Sequence, residues 1–288
     1  MNQSVALGSG PDWHKIQQVV KWLVYAFLIV NFVFYFIEDS RRAVFTLHAG
    51  STFLDWTSAF ATTIDESAWF LLLAMFEIET YVLEDEDVTG WVAMALHGVR
   101  LVCYTLLAHT IYAFVIVVSS LQPTVAVEGV SDLCDLTTAD VSFVYSLEYT
   151  DITEQTCNGL SNDTEFYWVA EDPVVADIAG LSLERDLALA DLAEAALWLL
   201  AILAIEIVVR MQGHGVSGGR VISTLNSLKL VIYASLIGLG IYWATLSHWL
   251  YLWDELVWIG GFAAIELNLS EWRDEIDDNQ VTTVEIRT

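Results

Sequence analysis

The sequence predicts an all-α polytopic membrane protein whose six transmembrane helices form three parallel helical-hairpin repeats. Apolar residues make up 56% of the chain, and its mean hydropathy of +0.53 is too high for an ordinary soluble domain. A transmembrane helix needs about 20 mostly apolar residues. Six segments meet that requirement, at 17–37, 57–83, 91–120, 187–210, 225–247 and 250–270.

Two residue patterns recur three times each and alternate along the chain, which predicts the repeats. The odd-numbered segments carry a basic residue with a tyrosine four residues later, namely Lys21/Tyr25, Arg100/Tyr104 and Lys229/Tyr233. The even-numbered segments carry an acid, a tryptophan and a glutamate at fixed spacing, namely Asp65/Trp69/Glu77, Glu194/Trp198/Glu206 and Asp254/Trp258/Glu266. Parallel repeats related by an axis along the membrane normal occur in transporters.

Helical rise predicts how the two patterns meet within a hairpin. With about 1.5 Å per residue and a turn near residue 249, Tyr233 and Glu266 lie at the same depth. Lys229 shares a helix face with Tyr233, because residues four apart stack on one side. The same count pairs Lys21 and Tyr25 with Glu77, and Arg100 and Tyr104 with Glu206.

Two interpretations of these sets stay open. In the structural one, each basic–Tyr–Glu set is a neutral clamp that locks its own hairpin. In the functional one, the carboxylates handle ions, and the basic and tyrosine residues tune them. The functional interpretation predicts an inner acidic ring of Glu77, Glu206 and Glu266 and an outer ring of Asp65, Glu194 and Asp254.

Two further features concern the middle of the membrane. His109 lies near the centre of the third segment, where it is a candidate proton relay or a hydrogen-bonding partner for a neighbouring helix. Small residues spaced four apart, Ala234/Gly238 and Gly260/Ala264, predict close packing of the last two spans.

The predicted organisation follows from the spans and the charges. It comprises a first hairpin repeat plus third span at 1–121, an acidic extracytoplasmic insertion at 122–184, spans four to six at 185–275 and an acidic cytoplasmic tail at 276–288. Basic residues cluster before the first span, between spans four and five and after span six. The positive-inside rule therefore predicts both termini in the cytoplasm and a location in the inner (plasma) membrane.

The insertion has its own signals. It contains thirteen Asp and Glu residues and no Lys or Arg. Cys134 and Cys157 predict a disulfide in an oxidising compartment, with two free thiols as the alternative. Alternating apolar and polar residues at 141–149 and 166–170 predict a short β-hairpin.

Composition excludes several classes of function. The net charge is −27 and no basic patch exists, so we expect no nucleic-acid binding. The sequence lacks a nucleophile elbow, a phosphate loop, a zinc-ligand pattern and an EF-hand loop, so we expect neither enzymatic activity nor a cofactor.

The expected partners are the lipid bilayer and protons or monovalent or divalent cations, with a homo-oligomer or partner subunit left open. The sequence thus favours a cation- or proton-handling channel or carrier. The alternative is a non-transporting membrane scaffold or a subunit of a larger complex.

Overall fold

A computed structural model describes residues 13–81, 83, 90–170, 173–213 and 219–262. The chain divides into two compact units. Unit 1 comprises Met1–Asn31 and Gly240–Thr288, and unit 2 comprises Phe32–Leu239.

Helices make up most of the described chain. They are α1 (Trp13–Thr46), α2 (Phe53–Ala59), α3 (Ala61–Tyr81), α4 (Gly90–Ser120), α5 (Cys157–Leu160), α6 (Ile178–Gly213) and α7 (Arg220–Thr245). An eighth helix, α8, begins at 249 and continues through 262. The long helices run without interruption because the three prolines of the sequence, Pro11, Pro123 and Pro173, all lie outside them.

Four helices are long and apolar enough to cross a membrane, which confirms this part of the prediction. They are Gln18–Thr46, Gly90–Ser120, Ile178–Val208 and Arg220–Thr245. The predicted second span falls on α2 and α3, which are bent by 72° and count as a fifth span only if taken together. The predicted sixth span overlaps α8 and extends beyond the described residues.

The region between α4 and α6 folds into a five-stranded sheet with the order β1-β4-β5-β2-β3. Its strands are β1 (Val125–Ala126), β2 (Ser142–Tyr145), β3 (Glu148–Asp151), β4 (Tyr167–Trp168) and β5 (Val174–Ala176). The predicted hairpin is β2–β3, but the predicted strand at 166–170 instead forms β4, between β1 and β5. The sheet of this region therefore has more strands than the single hairpin that the alternating pattern predicted.

A disulfide joins two short elements of this region, as predicted. Cys134 lies in a 3₁₀ helix, Leu133–Leu136, and Cys157 begins α5. The alternative of two free thiols is wrong. Cys157 is buried with Leu133, Phe143 and Phe166 in a core that lies between the sheet and these two helices.

A second apolar core joins the sheet to α4 and α6 of unit 2. Leu121, which directly follows α4, packs with Val144 and Val174 of the sheet and with Leu181 at the start of α6. Arg185 of α6 adds polar contacts by donating to the carbonyl oxygens of Leu121, at 2.7 Å, and of Gln122, at 2.9 Å. These are carbonyls at a helix end, which have no partner within the helix. We call this end of unit 2 the sheet end.

Close helix packing in unit 1 uses other glycines than the predicted ones. A Cβ atom added at Gly240 would lie 3.0 Å from Leu252 Cα, and one added at Gly261 would lie 3.2 Å from Val24 Cγ1. Added Cβ atoms at Gly238 and Gly260 meet no described atom within 4 Å. The spacing of small residues thus predicted the correct region but not the positions where backbones approach.

We expect Gly240→Ala to destabilise the protein by about 1–3 kcal/mol, because the new methyl group meets the backbone of α8. Gly238→Ala is the matched control, two residues away on the same helix. It should be neutral or stabilising by up to about 1 kcal/mol, because alanine favours a helix. Thermal melting in detergent measures both, and equal effects of the two substitutions would contradict the close approach at Gly240.

Candidate functional site

Four carboxylates from α1 and α6 interact with one arginine at the sheet end of unit 2. Arg42 and Glu38 lie one turn apart on α1, with 3.8 Å between Nη2 and Oε1. Arg42 also interacts electrostatically with Asp39 of α1 and with Glu184 and Asp191 of α6. We call these five residues the Arg42 cluster.

Hydrogen bonds connect the Arg42 cluster to two other elements. Asp39 Oδ2 accepts bonds from the backbone nitrogen of Thr63, at 2.9 Å, and from its hydroxyl, at 2.7 Å. Glu184 Oε1 accepts a 2.9 Å bond from the backbone nitrogen of Leu147, in the β2–β3 turn. Asp39 is 2% exposed and Glu184 is 5% exposed. The cluster therefore holds α1, α3, α6 and the sheet together.

The charges of the Arg42 cluster do not balance. If all four carboxylates were ionised, a single guanidinium would face four negative charges in a largely buried site. Like charges at short range disfavour simultaneous ionisation, and burial adds to that cost. A proton or a cation taken up by the cluster would relieve that repulsion.

Asp65, on α3, is a further carboxylate of unit 2. Its Oδ2 accepts a 3.1 Å bond from Trp69 Nε1 on the next turn of α3. The side chain of Thr110 on α4 bonds to the same carboxylate. Within the described part of the chain, no Lys or Arg forms an ion pair with Asp65. Neutral donors thus hold this acid, as its place inside an apolar helix requires.

Two of the three tryptophans of the repeated pattern meet in unit 2. The rings of Trp69 and Trp198 have centroids 5.6 Å apart and pack edge to face. Trp198 also lies 6.4 Å from the ring of Tyr233 on α7. Residues from three different helices therefore form an aromatic layer beside Asp65.

One face of α6 carries three acids and a tryptophan. Glu184, Asp191, Trp198 and Glu206 follow one another at spacings of seven, seven and eight residues. Those spacings are close to two turns each, so the four side chains lie on one stripe. The stripe passes from the Arg42 cluster, past the aromatic layer, to Glu206 at the end far from the sheet.

Glu206 has two partners. The hydroxyl of Tyr104 on α4 donates to its Oε2 at 3.5 Å, and Arg210 Nη2 lies 2.6 Å from its Oε1. Arg100, expected to face Glu206, instead forms an ion pair with Glu79 of α3. The structure therefore brings Tyr104 to Glu206, as the spacing predicted, but gives Glu206 a basic partner from its own helix.

The other predicted site residues are placed as follows. Lys21 Nζ lies 5.8 Å from the centroid of the Tyr25 ring on α1, within unit 1. Glu77 and Glu194 are half-buried, on α3 and α6. Lys229 is half-buried on α7. Asp254, in unit 1, accepts a 2.6 Å bond from Asn31. Glu266, the third member of the predicted inner ring, lies outside the described residues.

His109 lies on α4, next to the partner of Asp65. It precedes Thr110, the partner of Asp65, so the histidine and the aspartate lie at similar depth. Its Nε2 atom is buried and has no hydrogen-bond partner among the described residues. The Tyr112 ring is 6.3 Å away. A ring nitrogen with an open hydrogen-bonding position suits the predicted relay role.

The five residues of the Arg42 cluster were not predicted as a site. The partners of Arg42 on α6 are about 150 positions away in the sequence. Two local signals existed: Asp39 and Arg42 are three residues apart, and Asp191 lies in a mostly apolar segment. In the described part of the chain, the His, Cys, Asp and Glu side chains form no group of three arranged to hold a metal ion.

No family model matches the chain, and neither does any curated protein or solved structure.

We expect Arg42→Gln to destabilise the protein by about 2–3 kcal/mol at neutral pH, because it leaves buried carboxylates without their cation. The difference from the wild type should shrink as the pH falls, because protonated carboxyl groups no longer need the guanidinium. Thermal melting across a pH series measures this.

The matched control is Arg41→Gln, since Arg41 is the exposed neighbour of Arg42 on the same helix. It should change the free energy of unfolding by less than about 0.5 kcal/mol. An equally small effect for Arg42→Gln at every pH would rule out a central role for Arg42.

Proposed function

We propose that the chain is an integral membrane protein that handles protons or small cations, as a channel or carrier, through the carboxylates of unit 2. The observation that carries this proposal is the Arg42 cluster, where four carboxylates share one arginine. A purely structural site would match its charges, because unbalanced buried charge lowers stability. An excess of carboxylates favours a site that takes up and releases positive charge.

The carboxylates beyond the cluster support a path rather than one isolated site. Asp65 is held by neutral donors, His109 lies at similar depth, and Glu206 continues the α6 stripe toward the other end. Ionisable groups inside a membrane-spanning segment commonly mark ion pathways or proton relays. Protons are the first candidate, because the described acids are not grouped as metal ligands.

The proposed topology completes the six spans as three hairpins of one orientation. The predicted even spans would then comprise α2–α3, α6 and α8, each following an odd span that carries a basic–Tyr pair. Both termini would face the cytoplasm and the disulfide-linked sheet region would lie outside the inner (plasma) membrane. Its acidic side chains would then concentrate cations or protons at the entrance.

A second candidate function is a non-transporting scaffold or a subunit of a larger complex. Two contacts favour it. The ion pair of Arg100 with Glu79, and that of Arg210 with Glu206, each match one acid with one base. One-to-one pairs of this kind favour a structural role, although neither pair joins the acid and base of one predicted basic–Tyr–Glu set.

The proposal is tested by flux measurements in proteoliposomes that contain a pH-sensitive dye, with parallel uptake of labelled sodium and rubidium. Wild-type protein should move protons or one of the cations faster than protein-free vesicles. Asp191→Asn, which keeps the side-chain shape, should lower that flux by about tenfold or more, because a charge-exchanging group of the path is lost.

Asp163→Asn is the matched control, because Asp163 is an exposed acid of the sheet region. It should leave flux unchanged. A cooperative thermal melt confirms that each variant is folded. Wild-type flux no higher than that of empty vesicles, or full flux in folded Asp191→Asn, would favour the scaffold instead.

A further inference from the structure

One motif in the sheet region has no part in the functions proposed above. Asn162-Asp163-Thr164 has the form Asn-x-Ser/Thr, with x other than proline, which is the acceptor sequence for N-linked glycosylation. The chain contains two further motifs of this form, Asn2-Gln3-Ser4 and Asn268-Leu269-Ser270. Those two lie outside the described residues, so the structure shows the surroundings of the motif at Asn162 alone.

The motif lies on a surface loop between α5 and β4. The four residues 162–165 are all exposed, whereas Ser161 before them is half-buried and Phe166 after them is 1% exposed. None of the four belongs to a helix or a strand. An acceptor asparagine is expected on such a loop, because the enzyme must reach the side chain and the attached glycan must extend into solvent.

Contacts at both ends hold this loop in place. Ser161 Oγ donates to Asp177 Oδ2 at 2.6 Å and accepts a 3.2 Å bond from the backbone nitrogen of Asp163. Phe166, at the other end, is buried in the same apolar core as the disulfide-bonded Cys157. A glycan on the exposed part of the loop therefore displaces nothing from the core.

The two side chains that define the motif are available to an enzyme. Asn162 provides the amide nitrogen that is modified, and the hydroxyl of Thr164 completes the motif. Among the residues that the structure describes, neither side chain has a hydrogen-bond or ion-pair partner. The amide can therefore enter an active site without breaking a contact that stabilises the fold.

The disulfide of the same region fits the compartment in which N-glycosylation takes place. Disulfides persist in oxidising environments outside the cytoplasm, and glycosylated asparagines lie on surface loops of secreted proteins. Under the proposed topology the sheet region lies on that side of the membrane, whereas Asn2 and Asn268 belong to the cytoplasmic ends of the chain. The topology therefore leaves one of the three motifs accessible.

We propose that Asn162 is an N-glycosylation site, which receives an oligosaccharide from a lipid-phosphate-linked donor outside the cytoplasm. A bond forms between the amide nitrogen of Asn162 and the anomeric carbon of the donor sugar. The bond between that carbon and the phosphate oxygen breaks, and the lipid phosphate leaves with the electron pair. The amide nitrogen gives up one proton, so no oxidant or reductant takes part. The site rests on the proposed topology and not on ion handling.

Peptide mass spectrometry of the full chain, purified from its own host membranes, is the first test. Residues 122–184 contain no Lys or Arg, so a glutamate-specific protease takes the place of trypsin. After reduction and alkylation it releases residues 155–165, which contain the motif. We expect a glycan on this peptide, and an amidase that removes N-glycans should convert Asn162 to aspartate. A peptide that carries no glycan would overturn the proposal.

Matched variants locate the glycan within the folded protein. Asn162→Gln and Thr164→Ala should each abolish the electrophoretic shift that the amidase removes from the wild type. Thr164→Ser keeps the hydroxyl and should keep the shift. Asn158→Gln changes an exposed asparagine of α5 that has no motif, and it should also keep the shift. A shift that persists in Asn162→Gln, or that disappears in Asn158→Gln, would contradict a glycan on Asn162.

The two remaining motifs test the topology on which the site rests. Asn2→Gln and Asn268→Gln should leave the shift unchanged, because the ends of the chain face the cytoplasm in the proposed topology. Loss of the shift in either variant would place that end outside and would overturn both the topology and the site.

Cysteine labelling separates a wrong topology from a missing glycan. Glu128 is an exposed residue of the sheet region, and Cys103, the free cysteine of the described chain, is buried. A membrane-impermeant maleimide should label Glu128→Cys in intact cells. Labelling of Glu128→Cys without a glycan on Asn162 would overturn the site and keep the topology, whereas absence of labelling would overturn both. Asp191→Asn should keep the glycan while it loses flux, so ion handling and glycosylation fail separately.

Discussion

The sheet end of unit 2 depends on the sharing of one guanidinium by four carboxylates. Arg42 interacts with acids on its own helix, α1, and on α6. Asp39 carries the connection to α3 through Thr63, and Glu184 carries it to the β2–β3 turn. In that turn, Ser146 and Leu147 have φ values of 55° and 63°, which residues other than glycine rarely adopt. The backbone N–H groups of both residues bond to Glu184, which compensates part of that cost.

Sequence patterns were most successful where a property is local. Four of the six apolar segments that predicted spans fall on helices long and apolar enough to cross a membrane, and the cysteines of the insertion predicted its disulfide. They were least successful where contacts are distant in sequence. The parallel pairing of β2 with β5, the pairing of β1 with β4, and the interactions of Arg42 with α6 each join residues about 30 to 150 positions apart, and no local pattern encodes such pairs. Spacing also could not choose between Glu79 and Glu206 as the partner of Arg100, because both lie on helices that pack against α4.

The repeated patterns and the Arg42 cluster suggest different roles for different acids. Glu79 and Glu206 each have an arginine within ion-pair distance, which suits stable helix packing. Asp65 is held by an indole and a hydroxyl, and the cluster has fewer bases than acids. Groups of the second kind change charge at lower cost, because no dedicated counter-ion is left unpaired when a proton arrives. Under the proposed function, the matched pairs maintain the helix packing, while Asp65 and the carboxylates of the Arg42 cluster exchange charge.

The most direct test of the account is infrared spectroscopy of the carboxyl groups near neutral pH. A protonated carboxyl gives a carbonyl stretch that an ionised carboxylate lacks. We expect the wild-type protein to show this band, and at least one of the single variants Glu38→Gln, Asp39→Asn, Glu184→Gln and Asp191→Asn to show less of it. A band that is absent from the wild type, or unchanged in all four folded variants, would show that the cluster holds no proton and would contradict the account.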